Sequence, residues 1–231
     1  MPSDYPQMFI ALLHFPVYNK ARQVVATSLT TLNLHDLARL AATYGTPGCY
    51  VVTPLQRQRE LARKMIVHWT QGYGATYNPT RAEALQHLHV VEHLEAVEQD
   101  IWQRCGIAPR TIATDARQFP QCISYTALRQ IIWQRREAFL LLLGTGWGLT
   151  EELMTQCAYI LAPIYGLTPY NHLPVRIAAG IILDRLLGPA DAMAGPSGAT
   201  DGPERSAVSA QGLEALPLLA GHEKGTGSCM L

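Results

Sequence analysis

The sequence predicts an α/β domain with a mostly parallel sheet and helices on both of its faces. One observation is that strand-like and helix-like segments alternate along residues 1–187, since such alternation implies crossover helices between parallel strands. A second observation is that the strand-like segments are short and apolar on both faces, which is typical of strands covered by helices on two sides. Apolar residues make up 48% of the 231-residue chain, enough to fill the core of such a domain.

Six strands are predicted from short runs of aliphatic, aromatic and β-branched residues. They lie at residues 9–15 (FIALLHF), 49–53 (CYVVT), 89–91, 111–114 (TIAT), 139–143 (FLLLL) and 159–161. A hairpin at residues 24–30 is predicted to follow the first strand. Six helices are predicted where apolar residues recur at helical spacing. They lie at residues 34–44, 56–69, 94–104, 125–135, 151–156 and 173–187.

The composition of the chain changes at residue 188. Residues 188–231 are rich in Gly, Pro, Ala and Ser and contain only one short apolar patch, at residues 213–219. Such a segment cannot bury enough apolar surface to offset the entropy that it would lose on ordering. We therefore predict one folded domain at residues 1–187 and a disordered tail at residues 188–231.

The sequence predicts neither a membrane segment nor a disulfide framework. No apolar run approaches the roughly 20 residues that a membrane helix needs, and the first seven residues lack the basic start and apolar block of a signal peptide. The five cysteines are odd in number and widely spaced, which argues against paired disulfides. We expect a cytoplasmic protein with reduced cysteines and no membrane partner.

The charges balance overall, with 18 Lys and Arg against 18 Asp and Glu. The balance is uneven along the chain, because the tail carries a net charge of −3 and residues 1–187 carry +3, with basic residues concentrated in the stretches 20–81 and 104–136. A neutral sum therefore excludes only a uniformly basic nucleic-acid binder. Local basic faces suit RNA phosphates, although a solvated helix face would explain the basic residues at 57–64 equally well.

A glycine loop directly follows the strand at residues 139–143. Gly144, Gly146 and Gly148 let the backbone approach a ligand closely, and ligands of open α/β sheets bind at the carboxyl ends of the strands. The loop has neither the dinucleotide-binding spacing nor the Gly-Lys-Ser/Thr of a P-loop. Two glutamates at the start of the next helix would repel a pyrophosphate, so an uncharged or cationic nucleoside suits the loop better. A tight turn with a packing Trp147 would explain the same residues without a ligand.

A second candidate loop, at residues 162–174, follows the last predicted strand. It is rich in Pro and Gly and carries Tyr170, Asn171 and His172 beside the start of a strongly apolar helix. Because both loops follow neighbouring strands, we expect them to face one cavity.

These loops resemble those of the SPOUT class of S-adenosylmethionine-dependent RNA methyltransferases, whose chain forms a deep trefoil knot. Gly148, Leu149 and Thr150 match the Gly-Leu-Ser/Thr element that ends the glycine loop of that class. Pro163, Gly166 and residues 170–173, followed by an Ala-rich apolar helix, match its second loop.

A further motif of the class lies near the amino terminus. Asn33, Arg39 and Gly45 match its pattern of an Asn, an Arg six residues later on a helix, and then a Gly. Three motifs in the right order make the resemblance specific, and it extends over residues 9–187. The sequence is closest to a bacterial subfamily of RNA methyltransferases within the class.

The resemblance implies a fold, a methyl donor and a substrate class. The implied fold carries a C-terminal trefoil knot, the donor is S-adenosylmethionine, the acceptor is structured RNA (tRNA or rRNA), and a homodimer completes the site. No metal and no DNA partner are expected. The backbone groups implied to cradle the cofactor belong to Leu143, Gly144, Thr145, Gly146, Trp147, Gly148, Leu149, Pro163, Ile164, Gly166, Tyr170, Asn171, His172 and Leu173.

The candidate catalytic residues are Asn33, Asp36 and Arg39. Arg39 is expected to orient the acceptor or a phosphate beside it, because arginine stays protonated and is a poor general base. Asp36 is a candidate proton acceptor or orienting group. An exposed ion pair between Asp36 and Arg39, three residues apart on a helix, is the alternative interpretation.

The sequence departs from the class at three positions. Thr145 and Gly146 stand where the ribose-methylating branch has a glutamate, the asparagine of the second loop is displaced to Asn171, and Pro174 replaces its usual Ser or Thr. The acceptor, a ribose 2′-hydroxyl or a base nitrogen, therefore stays open. Two other functions also stay open: a non-catalytic RNA-binding or regulatory module that retains the fold, and a nicotinamide-dependent enzyme on a doubly wound sheet.

The remaining polar candidates are histidines. His35 is interpreted as a surface residue of the first helical turn, and His172 as a hydrogen-bonding residue of its loop. His87, His89 and His93 straddle a predicted strand, so their side chains need not converge on a metal ion. No metal site is predicted.

Overall fold

The computed structural model describes residues 5–135 and 137–189. In chain order the strands are β1 (Gln7–Leu13), β2 (Val17–Tyr18), β3 (Val24–Val25), β4 (Cys49–Val52), β5 (Leu88–Val91), β6 (Arg110–Ala113), β7 (Cys122–Ile123), β8 (Ala138–Gly144) and β9 (Tyr159–Leu161). The helices are α1 (Thr31–Thr43), α2 (Gln56–Thr70), α3 (Tyr73–Tyr77), α4 (Pro79–Gln86), α5 (Leu94–Cys105), α6 (Tyr125–Gln134), α7 (Glu151–Gln156) and α8 (Val175–Leu187).

Seven of the described strands form one sheet, in which every neighbouring pair is parallel. The strand order is β5-β4-β1-β8-β6-β9-β7, and β2 and β3 form a separate antiparallel pair. In the register of β1 and β8, Leu13 lies opposite Gly144. The carboxyl ends of the two central strands therefore lie side by side, and the glycine loop starts from the middle of the sheet edge.

Both faces of the sheet are covered, as the apolar strand patterns predicted. Along β8, Phe139, Leu141 and Leu143 belong to one buried cluster, which also includes residues of α1, α6 and α8. Leu140 and Leu142 belong to the other cluster, which includes residues of α5 and α7. Because alternate side chains of a strand point to opposite faces, a strand buried on both sides is a continuous apolar run. The predicted mostly parallel α/β architecture is confirmed.

Several local predictions differ from the structure. Helices α3 and α4 and strand β7 were not predicted, since Gly72, Gly74 and Pro79 interrupt the helical pattern and β7 has only two residues. The hairpin predicted at residues 24–30 is wrong, because β3 pairs in antiparallel fashion with the preceding strand β2, and the residues after β3 lead into α1. The last helix begins at Val175 because Pro174 is its N-cap.

The remaining predictions on chain organisation are tested only in part. The predicted tail lies outside the described residues, apart from residues 188 and 189. None of the helices in the described ranges has the length and apolar character needed to cross a lipid bilayer.

Candidate functional site

Three loops meet at the carboxyl edge of the sheet. The β6 loop (residues 114–121) follows β6, the glycine loop (residues 144–150) begins at the last residue of β8, and the β9 loop (residues 162–174) follows β9. Strand β6 lies between β8 and β9 in the sheet, so the two loops predicted from the sequence do not follow adjacent strands. The β6 loop, which sequence reasoning missed, lies between them.

Side-chain contacts connect the three loops. In the β9 loop, Asn171 Nδ2 donates a hydrogen bond to the carbonyl oxygen of Ala116 at 2.5 Å, and the Tyr165 hydroxyl donates to Gln118 Oε1 at 3.0 Å. On the other side of the β6 loop, a Cβ added to Gly148 would lie 2.8 Å from Asp115 Oδ2. The β6 loop therefore contacts both of the other loops, and the three loops form one structural unit.

The glycine loop is fixed by backbone pairing with β2. The Trp147 amide donates to the carbonyl oxygen of Tyr18 at 2.9 Å, and the Tyr18 amide donates to the carbonyl oxygen of Gly148 at 3.0 Å. Gly146 has φ +61° and Gly148 has φ +93°, a region that glycine adopts without strain. A Cβ on Gly146 would lie 2.8 Å from the Tyr18 oxygen. These two glycines are thus required by close contacts within the protein itself.

A chain of hydrogen bonds connects the glycine loop to the end of β1. Thr145 Oγ1 donates to the carbonyl oxygen of Leu13 at 3.0 Å and lies 2.5 Å from Thr27 Oγ1, which lies 3.0 Å from His14 Nδ1. Each hydroxyl has one hydrogen, and that of Thr145 is used by the Leu13 carbonyl. Thr27 therefore donates to Thr145, and the Nδ1 hydrogen of His14 is donated to Thr27. His14 is 1% exposed, and this burial lowers its pKa to about 4. The imidazole is therefore neutral, with its free lone pair on Nε2.

A charged network borders the glycine loop. Arg117 pairs with Asp115 at 2.9 Å and with Glu151 at 3.3 Å, and Glu151 also pairs with Arg22 at 2.5 Å. The hydrogen bond to Asp115 is the main reason that the pKa of Arg117 is raised. The Asp115 side chain is only 5% exposed. Its position directly after the strand predicted at residues 111–114 was the one sequence signal that could have identified it.

The predicted cofactor residues all lie in the glycine and β9 loops or at the ends of the flanking elements, but their side chains differ in exposure. Leu143 and Leu149 point into the core, so only their backbone groups can face a ligand. Thr145, Ile164 and Asn171 are half-buried and Pro163 is buried. The more accessible members are Gly146, Trp147, Gly166, Tyr170, His172 and Leu173, with Gly144 and Gly148 intermediate.

The predicted catalytic residues lie on α1 and not in the loops. Asn33 is half-buried in the first turns of the helix. Asp36 Oδ2 is 3.0 Å from Arg176 Nε of α8, so the alternative ion pair between Asp36 and Arg39 is wrong. Arg39 is exposed and lines a pocket of about 260 Å³ between α1 and α4. Within the described ranges, no ion pair connects Arg39 to the three loops.

Two histidines have partners that the sequence did not indicate. His35 is half-buried, with its ring edge-on to Trp69 at 5.6 Å between centroids. Burial lowers its pKa. The contact with Trp69 shows that His35 is only partly a surface residue. His89 stacks beside Tyr50 at 5.2 Å and lies 3.2 Å from a guanidinium nitrogen of Arg104. His89 is thus placed against an aromatic ring and a cation.

The site has features that fit a small nucleoside. Backbone groups of three loops surround one edge of the sheet, the space beside Gly166 is open, and the Asp115 carboxylate lies in the loop that contacts both others. The backbone donors and acceptors suit the polar groups of the adenosine of S-adenosylmethionine, whereas the Asp115 carboxylate is already paired with Arg117. Loops at the carboxyl ends of parallel strands are the usual ligand-binding position in open α/β sheets.

Residues 7–188 match the model of a protein family described as SAM-dependent RNA methyltransferase. The chain belongs to this family. Family membership confirms the predicted resemblance, the enzyme class and S-adenosylmethionine as the methyl donor. It also decides against the nicotinamide-dependent alternative.

Two relatives and one solved structure illustrate the similarity. An uncharacterized protein of Aquifex aeolicus (strain VF5) is 42% identical over 179 residues, which cover 78% of this chain and 87% of that protein. A tRNA (guanine-N(1)-)-methyltransferase of Oleidesulfovibrio alaskensis is 43% identical over 183 residues, which cover 79% of this chain and 42% of that protein. The chain therefore spans less than half the length of this second relative.

The solved structure is that of the SpoU methyltransferase AviRb from Streptomyces viridochromogenes in complex with the cofactor AdoMet. It matches with a TM-score of 0.50 and 15% sequence identity, covering 81% of this chain and 62% of that chain. At this level of identity the similarity concerns the fold alone.

Proposed function

We propose that this protein transfers a methyl group from S-adenosylmethionine, bound at the three loops, to a nucleotide of a structured tRNA or rRNA. The observation that carries the proposal is the convergence of the β6, glycine and β9 loops at one edge of the sheet. A tRNA is the favoured acceptor because the Oleidesulfovibrio alaskensis relative is named as a tRNA methyltransferase. The acceptor atom is a ribose 2′-hydroxyl or a base nitrogen.

The proposed mechanism is an in-line displacement in which the protein aligns the two reactants. When bound, S-adenosylmethionine would supply the methyl group from its sulfonium and leave as S-adenosylhomocysteine, while the proton of the acceptor would pass to solvent water. Backbone groups of the glycine and β9 loops hold this donor, while Arg39 orients the acceptor or its phosphate through a charged hydrogen bond. Asp36 is paired with Arg176 and thereby ties α1 to α8. We assign Asp36 to positioning α1, and Asn33 to contact with the acceptor from the first turns of the same helix.

A homodimer would bring Arg39 to a cofactor site. Arg39 lines a pocket against α4 on its own chain, and we propose that a partner chain brings the arginine and the cofactor together. Leu32 at the start of α1 and Ile177 at the start of α8 are 61% and 48% exposed, and the homodimer itself is proposed from the resemblance to the SPOUT class. The trefoil knot is proposed from the resemblance to the SPOUT class.

The central test is methyl transfer itself. The protein is incubated with S-adenosylmethionine labelled in its methyl group and with unmodified tRNA and rRNA transcripts, and the modified nucleoside is mapped. We expect label at a single nucleoside of one RNA class. Cofactor binding by calorimetry without any transfer of label would contradict an active enzyme and would favour the non-catalytic RNA-binding module.

Arg39→Ala tests the role of the arginine. We expect loss of methyl transfer with nearly unchanged affinity for S-adenosylmethionine, because Arg39 contacts none of the three loops of its own chain by an ion pair within the described ranges. Arg39→Lys keeps the charge but not the planar fork, so partial activity is expected. An equal loss of transfer and cofactor affinity would contradict the positioning role.

Gly146→Val tests the cofactor site. The valine would have to adopt φ +61° and would place its Cβ 2.8 Å from the Tyr18 oxygen, so the loop must move. We expect the affinity for S-adenosylmethionine to fall by at least about tenfold, which corresponds to about 1.4 kcal/mol. Gly106→Val is the matched control, since Gly106 has φ +72° with open space around it at the end of α5. Unchanged binding by Gly146→Val would show that the loop is not the pocket.

A further inference from the structure

An exposed aromatic pair lies on the short helix α3. Tyr73 and Tyr77 are one helical turn apart, and their rings stack at 6.1 Å between centroids with 25° between the planes. They are 74% and 72% exposed, so most of both rings faces solvent. Proteins that bind single-stranded nucleic acid use such exposed aromatic rings as platforms on which bases stack.

A polar pocket with two arginines adjoins this pair along the chain. Asn78, Thr80 and Arg81 follow Tyr77 directly, and together with Arg39 of α1 they line the pocket of about 260 Å³. None of the described residues that line the pocket is acidic. The guanidinium forks of two arginines at one polar pocket match the geometry of phosphate oxygens.

The positive charges in the pocket are not neutralised by ion pairs. Neither Arg39 nor Arg81 forms an ion pair within residues 5–135 and 137–189. The carboxylate of α1 that lies closest in sequence to Arg39, Asp36, is engaged by Arg176 at 3.0 Å. Both arginines act on the same neighbour, since each lowers the pKa of His35, although burial is the largest cause.

Arg81 is held in place before any ligand arrives. Its guanidinium lies 4.6 Å from the centroid of the Trp69 ring, and its backbone amide donates to Asn78 Oδ1 at 3.0 Å. The Thr80 hydroxyl also donates to Asn78 Oδ1 at 3.0 Å. The hydrogen bonds fix the backbone at Arg81 and the Trp69 contact restricts its side chain, so the side chain loses less rotamer entropy on binding.

We propose that these residues, the α3–α4 surface (Arg39, Tyr73, Tyr77, Asn78 and Arg81), bind a single-stranded segment of the RNA substrate. A backbone phosphate lies between the two arginines, and the base next to it stacks on the tyrosine pair. Stacking of this kind requires an unpaired base, so the segment is a loop or a bulge of a structured RNA. The inference rests on the proposed function, and because the surface shares Arg39 with it, the bound segment lies beside the methyl acceptor.

This surface is tested by measuring the affinity for an unmodified tRNA transcript with a fluorescent end label. Fluorescence anisotropy gives the Kd over a range of salt concentrations. For Arg81→Gln we expect a roughly tenfold higher Kd and a slope of log Kd against log salt that is smaller by about 1, since one phosphate contact is lost. For the double variant Tyr73→Ala and Tyr77→Ala we expect a roughly tenfold higher Kd with an unchanged salt slope. The affinity of both variants for S-adenosylmethionine, measured by calorimetry, stays at the wild-type value.

Arg185→Gln is the matched control, because Arg185 also lies over an aromatic ring, 4.8 Å from the centroid of Tyr125, but on α8. It loses the same charge and a similar ring contact, and we expect RNA binding close to wild type. If Arg81→Gln bound RNA as tightly as Arg185→Gln, the proposed binding of a phosphate between Arg39 and Arg81 would be wrong. RNA binding at the wild-type affinity by the double tyrosine variant would refute base stacking on Tyr73 and Tyr77. A wild-type protein that neither binds nor methylates RNA would overturn the proposed function as well. Normal methylation by the wild type, with RNA binding unaffected by Arg81→Gln and by the tyrosine double variant, would overturn only this inference.

Discussion

His14 is a buried polar residue at the carboxyl end of β1, where it supports the glycine loop through Thr27 and Thr145. Its Nδ1 hydrogen is used by Thr27, and Nε2 has no partner among the described residues. Protonation would place a charge in a site that is 1% exposed, which is why burial lowers the pKa of this histidine to about 4. The support of the loop therefore depends on a neutral imidazole.

The low pKa of His14 makes folding stability depend on pH. The unfolded chain binds a proton near pH 6.5, whereas the folded chain does so only near pH 4. The free energy of unfolding is therefore highest, as far as His14 is concerned, above about pH 6.5. It falls by about 3 kcal/mol as the pH is lowered from 6.5 to 4. Urea unfolding at several pH values measures this loss. His14→Asn can still donate to Thr27 and should flatten the dependence of the free energy of unfolding on pH. The control His172→Asn, in the exposed β9 loop, should not flatten it. An unchanged pH dependence in His14→Asn would refute the assignment of this effect to His14.

The sequence identifies the glycine loop but not the residues that contact it. Gly146 and Gly148 were predicted to be near a ligand because of their spacing, and their closest contacts are with Tyr18 and Asp115. Thr145 and its hydrogen-bonding partner Thr27 are 118 residues apart in the chain. Periodicity and spacing report on neighbours along the chain, so contacts of this kind follow only from the order of the strands in the sheet.

At the scale of elements, long periodic segments were predicted well and short interrupted ones were not. Helix α2 and strand β8 lie within a residue of their predicted bounds, because their apolar patterns are long and unbroken. Helices α3 and α4, which carry most of the α3–α4 surface, were missed because Gly72, Gly74 and Pro79 fall within eight residues at the start of this region. Their helical form depends on the Asn78 cap and on packing against α1 and α2, neither of which is a local periodicity.

Thr150 connects the glycine loop to helix α7. Its Oγ1 accepts a hydrogen bond from the Leu153 amide at 3.4 Å, and the residue is 4% exposed. Thr150→Ala should lower the free energy of unfolding by about 1 kcal/mol, the typical contribution of an N-cap. It should also weaken binding of S-adenosylmethionine, because the end of the glycine loop is released.

Ser124→Ala is the matched control for this prediction, since Ser124 caps α6 by accepting from the Ala127 amide at 3.2 Å. It should cost a similar free energy of unfolding and leave cofactor affinity unchanged. Chemical unfolding and calorimetry measure the two effects. Equal affinities for the two variants would show that the cap of α7 does not support the cofactor site.

At the scale of the whole molecule, the neutral total charge conceals a basic domain. Residues 1–187 carry +3, and part of that charge lies on the α3–α4 surface, where two arginines have no ion-pair partner within the described ranges. The charge distribution is thus consistent with a local RNA contact. The cytoplasmic location and the disordered tail stay predictions.

The separation of Arg39 from the three loops raises the question of how many chains form one active site. If a homodimer completes each site, the cofactor loops come from one chain and Arg39 from the other. A variant defective in the loops and a variant defective in Arg39 then have complementary lesions. If each site lies within one chain, every chain of such a mixture carries a lesion of its own site and no pairing can repair it.

Mixing Gly146→Val with Arg39→Ala distinguishes these two cases. In a homodimer with shared sites, a mixed dimer has one site with an intact cofactor loop and an intact Arg39, and one site with both lesions. With equal amounts and full subunit exchange, half of the dimers are mixed, so the mixture should recover about one quarter of the wild-type rate of methyl transfer. The rate is measured with labelled S-adenosylmethionine and a tRNA transcript, after co-expression to ensure exchange. The control is each variant mixed with itself, which should stay inactive, and absence of recovery in a mixture shown to contain mixed dimers would place Arg39 and the cofactor in the same chain.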